Sequence, residues 1–142
     1  MRLLFLKSTC ALSLVIASSI AEAGVSVVVN PSLTESGVSA EQIANIFLGK
    51  SNKLPSGAKV VPIDQEEGEG PRDLFYQKVV HKDASQLNAY WSRLIFTGKG
   101  QPPKAVLDDD EVLEFVASQP DAIGYMSSEA VDDSVKVIFT LD

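Results

Sequence analysis

"DDDEVLEFVASQPDAIGYM", residues 108–126, passes from a helix to a strand with almost nothing between them. Asp108 to Glu111 put four carboxyl groups into a first helical turn, where negative charge complements the exposed amides. Leu113 and Val116 supply an apolar side, and Pro120 stops the helix. "AIGYM", 122–126, is then too short and too apolar for anything but a buried strand.

The same alternation runs back through the chain. "VSVVV", 25–29, is a β-branched run closed by Asn30-Pro31. "SAEQIANIFLGK", 39–50, opens with Ser39 and Gln42 in capping-box spacing. It carries Ile43, Ile46 and Phe47 at helical intervals and ends at Gly49. "KVVPI", 59–63, predicts a second strand, and Pro71 starts a second helix. A third helix is expected from about Ser85 to Phe96, with Leu87, Tyr90, Trp91 and Leu94 on one face and Phe96 also counted as core. "VKVIFTL", 135–141, is a last strand. No repeat or linker interrupts the series. The expectation is one α/β domain with a small mixed, partly parallel sheet flanked by helices. Its core should include Ile43, Phe47, Phe75, Trp91, Leu113, Val116 and Ile123.

The first 23 residues fit a different purpose. Arg2 and Lys7 precede the apolar run "ALSLVIASSI", and "AEA" at 21–23 is a small-x-small cleavage site. This is the pattern of a signal peptide, with the domain at 24–142 and a periplasmic destination. Cys10 is the only cysteine and falls in the segment to be removed, so neither disulfide nor thiol nucleophile is expected. Ten basic and eighteen acidic residues then remain. That balance repels phosphate backbones and excludes a nucleic-acid role.

Several motifs invite stronger readings and fail them. Gly49-Lys50-Ser51 lacks the earlier glycine of a phosphate loop, since position 44 is alanine, and it ends a helix instead of beginning one. The acidic stretch from Asp64 has Glu69 and Phe75 where a calcium loop needs glycine and glutamate. His81 is the sole histidine, so a zinc site or a Cys-His dyad is excluded. No serine lies in a nucleophile-elbow pattern. No catalysis, metal or cofactor is expected. "FTGKGQPP", 96–103, is a glycine-rich turn that either exposes amides to an anion or simply joins a helix to a strand.

"LTESGVSAEQIANIFLGKSNKLPSGAKVVPID", "RDLFYQKVV", "YWSRLIFTGKGQPP" and "DDEVLEFVASQPDAIGYMSSEAV" together resemble the substrate-binding protein of the phosphate ABC transporter, and more narrowly its short, single-domain relatives. "IFLGK" and V-x-x-x-P-x-A-I-G-Y carry the likeness most specifically. The resemblance implies a type II periplasmic binding protein fold, of which this chain is long enough for one lobe. It also implies non-catalytic binding of phosphate or another oxyanion, with a transporter permease or an envelope protein as partner. An accessory module that keeps the fold without the ligand is the alternative. The family's anion cradle, a Gly-Ser-Gly-Thr run opening a helix, corresponds here to Gly68, Glu69, Gly70 and Pro71. The implied ligand surface is Gly68, Gly70 and Arg72, with Thr97, Gly98 and Lys99 as a second wall. Glutamates at 67 and 69 oppose it: like charges 4 Å apart cost about 4 kcal/mol at an effective dielectric of 20. Weak binding is the expectation.

Overall fold

The computed structural model describes residues 24–141. The signal-peptide expectation for residues 1–23 lies outside them. Strands β1 (Val25–Val29), β2 (Val61–Gln65), β3 (Lys104–Val106), β4 (Ala122–Ser127) and β5 (Lys136–Leu141) form one sheet in the order β3-β2-β4-β1-β5. β2 runs parallel to both β3 and β4, whereas β1 is antiparallel to β4 and β5. The expected mixed α/β sheet is therefore present. No helix among the described residues is long and apolar enough to cross a membrane.

Each helix has a local cause. α1 (Ala40–Phe47) is closed at its start by the reciprocal Ser39–Gln42 capping box. α2 (Gly70–Phe75) has Pro71 in its first turn and widens into a π-helical turn at Tyr76–Val80. α3 (Ala84–Phe96) begins one residue before the expected Ser85 and has its own capping box, Asp83 with Gln86. α4 (Asp109–Ser118) is capped by the Asp108 side chain.

The sheet divides the apolar residues into two layers. Ile43, Phe47, Phe75, Val79, Leu87 and Trp91 pack with Val27 and Tyr125 under α1, α2 and α3. Val112 and Val116 of α4 cover Val28, Ile63 and Met126 on the opposite face. Most of the expected core is buried, and Leu113 is half-buried against the second layer.

Three expectations need correction. β2 begins and ends two residues later than "KVVPI", so Asp64 and Gln65 belong to a buried strand and not to the acidic turn. Phe96 is 93% exposed, because α3 ends there and its buried side is carried by Leu87 and Trp91, with Trp91 against Gly49 at the end of α1. "KAV" at 104–106 is a strand of its own, too short to show a period in sequence.

Gly124 fixes how closely α4 approaches the sheet. A Cβ there would lie 2.8 Å from Val112 Cγ1 and 3.3 Å from Val116 Cγ2. Gly124→Ala should therefore push α4 outward and cost about 1–3 kcal/mol, read as a lower urea midpoint. An unchanged midpoint would show that α4 has slack.

Candidate functional site

Successive residues of a strand face opposite sides, and the last two residues of β2 use this in full. Asp64 points toward α2, and Gln65 toward the start of α4. Both are buried.

Asp64 collects donors from three elements. Tyr76 Oη donates to Oδ2 at 2.6 Å, Tyr125 Oη donates to Oδ1, and Arg72 Nη1 lies 3.0 Å from Oδ2. The Gln65 amide completes the set, with Asp64 Oδ1 at 2.8 Å. Arg72 Nη1 also donates to the Gln65 carbonyl at 2.6 Å, and its guanidinium lies 5.1 Å from the Tyr76 ring centre. Burial works against the charge on Arg72, but Asp64, with lesser contributions from Tyr76, Tyr125 and Glu67, outweighs it and raises the pKa. Burial and then Asp64 push both phenols well above their usual range. The rings are held from behind: Phe75 stacks on Tyr125 at 4.1 Å, and Phe47 meets Phe75 edge-on at 4.8 Å.

Gln65 builds a second node. Its Nε2 donates to Asp109 Oδ1 at 2.8 Å and to the Tyr125 carbonyl at 3.0 Å. The Ser127 amide also points at Asp109 Oδ1, 3.2 Å away. In open α/β sheets, ligands gather outside the carboxyl ends of the strands. At that edge this chain places its own Asp109 carboxylate on the available donors of β2 and β4. Gln65 Oε1 is buried without a partner.

The expected ligand residues do not converge. Gly68 and Arg72 line one cavity of about 260 Å³, shared with Glu67, Asp73, Lys82 and Asp83. Gly70 faces a different hollow, between Pro71, Leu74 and Ser127. Thr97, Gly98 and Lys99 follow α3 and lead into β3, whose first residue pairs with Ile63, so they lie at the amino ends of the parallel strands. Gly68 and Gly70 lie beyond the carboxyl end of β2. The Thr97 hydroxyl donates to the Arg93 carbonyl of its own helix. The second wall is thus at the wrong end of the sheet to meet the first. Sequence reasoning missed Asp64, Tyr76, Tyr125 and Asp109, since tyrosines at core spacing and an aspartate beside an acidic turn carry no distinguishing signal. Among the described residues, no group of three or more metal-ligating side chains is present.

No protein-family model and no curated protein matches the sequence. Solved structures do. One from Clostridium perfringens, described as a phosphate ABC transporter substrate-binding protein with bound phosphate, superposes with a TM-score of 0.61 at 24% identity. An ABC-type phosphate transport receptor of Vibrio cholerae gives 0.58 at 20%, and PstS of Borrelia burgdorferi 0.57 at 16%. The chain shares their fold. Each match takes in 82% of this chain but only 44%, 45% and 47% of the other, so the chain spans less than half of their length and corresponds to a single lobe.

Two outcomes follow from the Asp64 cluster. Arg72→Ala strands the buried Asp64 carboxylate and should cost about 3–5 kcal/mol, whereas Asp64→Asn leaves a half-buried guanidinium and should cost less. The double variant Asp64→Leu/Arg72→Met should lose less than the sum of the two single changes, as measured in urea. Separately, Tyr76 and Tyr125 hold their protons in the folded state to higher pH than in the unfolded chain. Their contribution is intact below about pH 10 and falls above it, by up to about 1.4 kcal/mol per pH unit for each phenol. Tyr125→Phe should make the decline in denaturation midpoint above about pH 10 shallower. An identical slope would place the phenol in water.

Proposed function

We propose that this chain is an exported, non-catalytic binding module that keeps one lobe of the substrate-binding fold and works through contact with another protein of the cell envelope, not by capturing free oxyanion. The observation that carries this reading is the commitment of the carboxyl-edge donors to the chain's own carboxylates. Asp64 holds Arg72 at 3.0 Å, and Asp109 takes the Ser127 amide and the Gln65 amide nitrogen. Glu66 and Glu67 stand exposed at the same edge, with Glu69 as the N-cap residue of α2. A phosphate arriving there meets carboxylates whose repulsion, about 4 kcal/mol per close pair at an effective dielectric of 20, matches or exceeds what one or two charge-assisted hydrogen bonds return, about 1.5–3 kcal/mol each. Export rests on the basic-then-apolar opening segment, and the absence of catalysis on the kind of protein the solved relatives are.

A second reading, weak oxyanion binding, has one observation in its favour. Lys82 lines the same cavity as Arg72 and Gly68, so two cations border it.

Titration calorimetry tests the first reading against tight oxyanion capture. The native chain should bind phosphate or sulfate no more tightly than about 1 mM, roughly 4 kcal/mol of binding free energy. Glu69→Ser should improve on that by removing a charge and supplying a hydroxyl. Micromolar phosphate binding by the native chain would overturn the protein-contact reading. Arg72→Ala is a poor probe here, because it also breaks the buried pair with Asp64.

A further inference from the structure

The charges of this chain are sorted by sign. No acidic residue occurs between Glu41 and Asp64, or between Asp83 and Asp108, and these two segments hold Lys50, Lys53, Lys59, Arg93, Lys99 and Lys104. The segments adjoin: Tyr90 of α3 donates to the Leu48 carbonyl at 2.7 Å, and a single cavity is lined by Gly49, Ser51, Trp91, Pro102 and Lys104. The carboxyl edge is the reverse, with Glu66, Glu67, Glu69, Asp108, Asp110 and Glu111 on the turns and first helical residues after β2 and β3. Sorting leaves these charges without partners of opposite sign. Among the described residues Arg72–Asp64 is the one ion pair.

Each end also carries an apolar feature that suits the other. At the basic end the Phe96 ring is 93% exposed, beside Ile95 at 52%, with Arg93 and Lys99 within three residues. Toward the acidic end, a cavity of about 230 Å³ opens between Val106 and Phe115, bordered by Glu111, Glu114 and Ser118. Lys104 of the basic segment lies nearby, 5.1 Å from the centre of the Phe115 ring.

We propose that this chain associates head to tail with a second copy, Phe96 of one copy entering the Val106–Phe115 cavity of the next while Arg93 and Lys99 face Glu111 and Glu114. A knob and a hole at different places on one molecule make a heterologous contact, which repeats unless its rotation closes a ring. Charge complementarity names the occupant: an acidic chain that repels most anionic surfaces through its net charge attracts, through this end, the acidic end of its own kind. The proposal goes beyond the protein-contact reading and does not depend on it.

Sedimentation of the purified protein over a range of concentrations is the test, at about 0.1 M salt, where charges more than about 10 Å apart are largely screened and the charges at the contact dominate. The native chain should grow in mass with concentration. Phe96→Ser removes the knob and Glu114→Lys reverses the border of the hole. Both positions are exposed, so both variants should keep the native urea midpoint, and each should lose at least about tenfold in association, as a hot-spot loss does. Mixed together, the two should form a 1:1 complex that grows no further, since only one knob and one hole remain. A native chain that stays monomeric at every concentration overturns the proposal. So does association that both variants retain, or a mixture that stays monomeric. Phosphate calorimetry is indifferent to all of these outcomes, so the two readings can fail separately.

Discussion

A carboxylate taken out of water must be given back the hydrogen bonds it loses, and the interior of this protein is arranged around one such debt. Asp64 sits on a central strand, in the apolar layer that Phe47, Phe75 and Tyr125 build. Two phenols, a guanidinium and a backbone amide restore its partners. Those partners come from β2, α2 with its π-helical continuation, and β4, so the electrostatic requirement of one residue fixes the relative placement of three elements. A buried ion pair is weak evidence of net stabilisation, since apolar residues of similar volume often do as well. Its effect here is on position. Arg72 is drawn inward over Tyr76, and the end of β2 is joined to α2 by the bond from Arg72 to the Gln65 carbonyl.

The same economy explains the carboxyl edge. Asp109 lies in the first turn of α4, where a carboxylate is favoured by the helix amides. It also satisfies Gln65 and Ser127 from two strands. A chain that neutralises its own donors in this way has little need of a bound anion for structure, and the turn after β2 is free to become acidic. Gly68, at a φ of 93°, still makes the turn.

Much of the architecture was legible because it rests on local rules. The Ser39–Gln42 box, Pro71 at the head of α2, the acidic start of α4 and the β-branched run of β1 each act within a few residues, and each lies where the sequence placed it. The failures share a cause. Asp64 breaks the apolar run that marks β2 in sequence, yet it belongs to the strand because partners 12 and 61 residues away bury it. Phe96 follows the spacing of a core residue but is the last residue of α3, beyond the part of the helix that is covered. Thr97 and Lys99 have the composition of an anion loop, yet chain direction puts them at the amino ends of the parallel strands. Periodicity and composition carry no information about which end of a sheet a loop will reach. Nor could they show that Tyr76 and Tyr125 share one carboxylate.

The placement of β1 governs when the fold can exist at all. It is an interior strand, hydrogen-bonded to β4 on one side and to β5 on the other, and both neighbours come from the last twenty residues described. β1 therefore finds no native partner until β4 and β5, about a hundred residues further on, have been synthesised. Pairing over such separations is slow, because loop closure precedes any gain in contact. Until those strands are available, β1 carries unpaired backbone donors and acceptors along both of its edges. The topology delays folding until β4 and β5 have both been made.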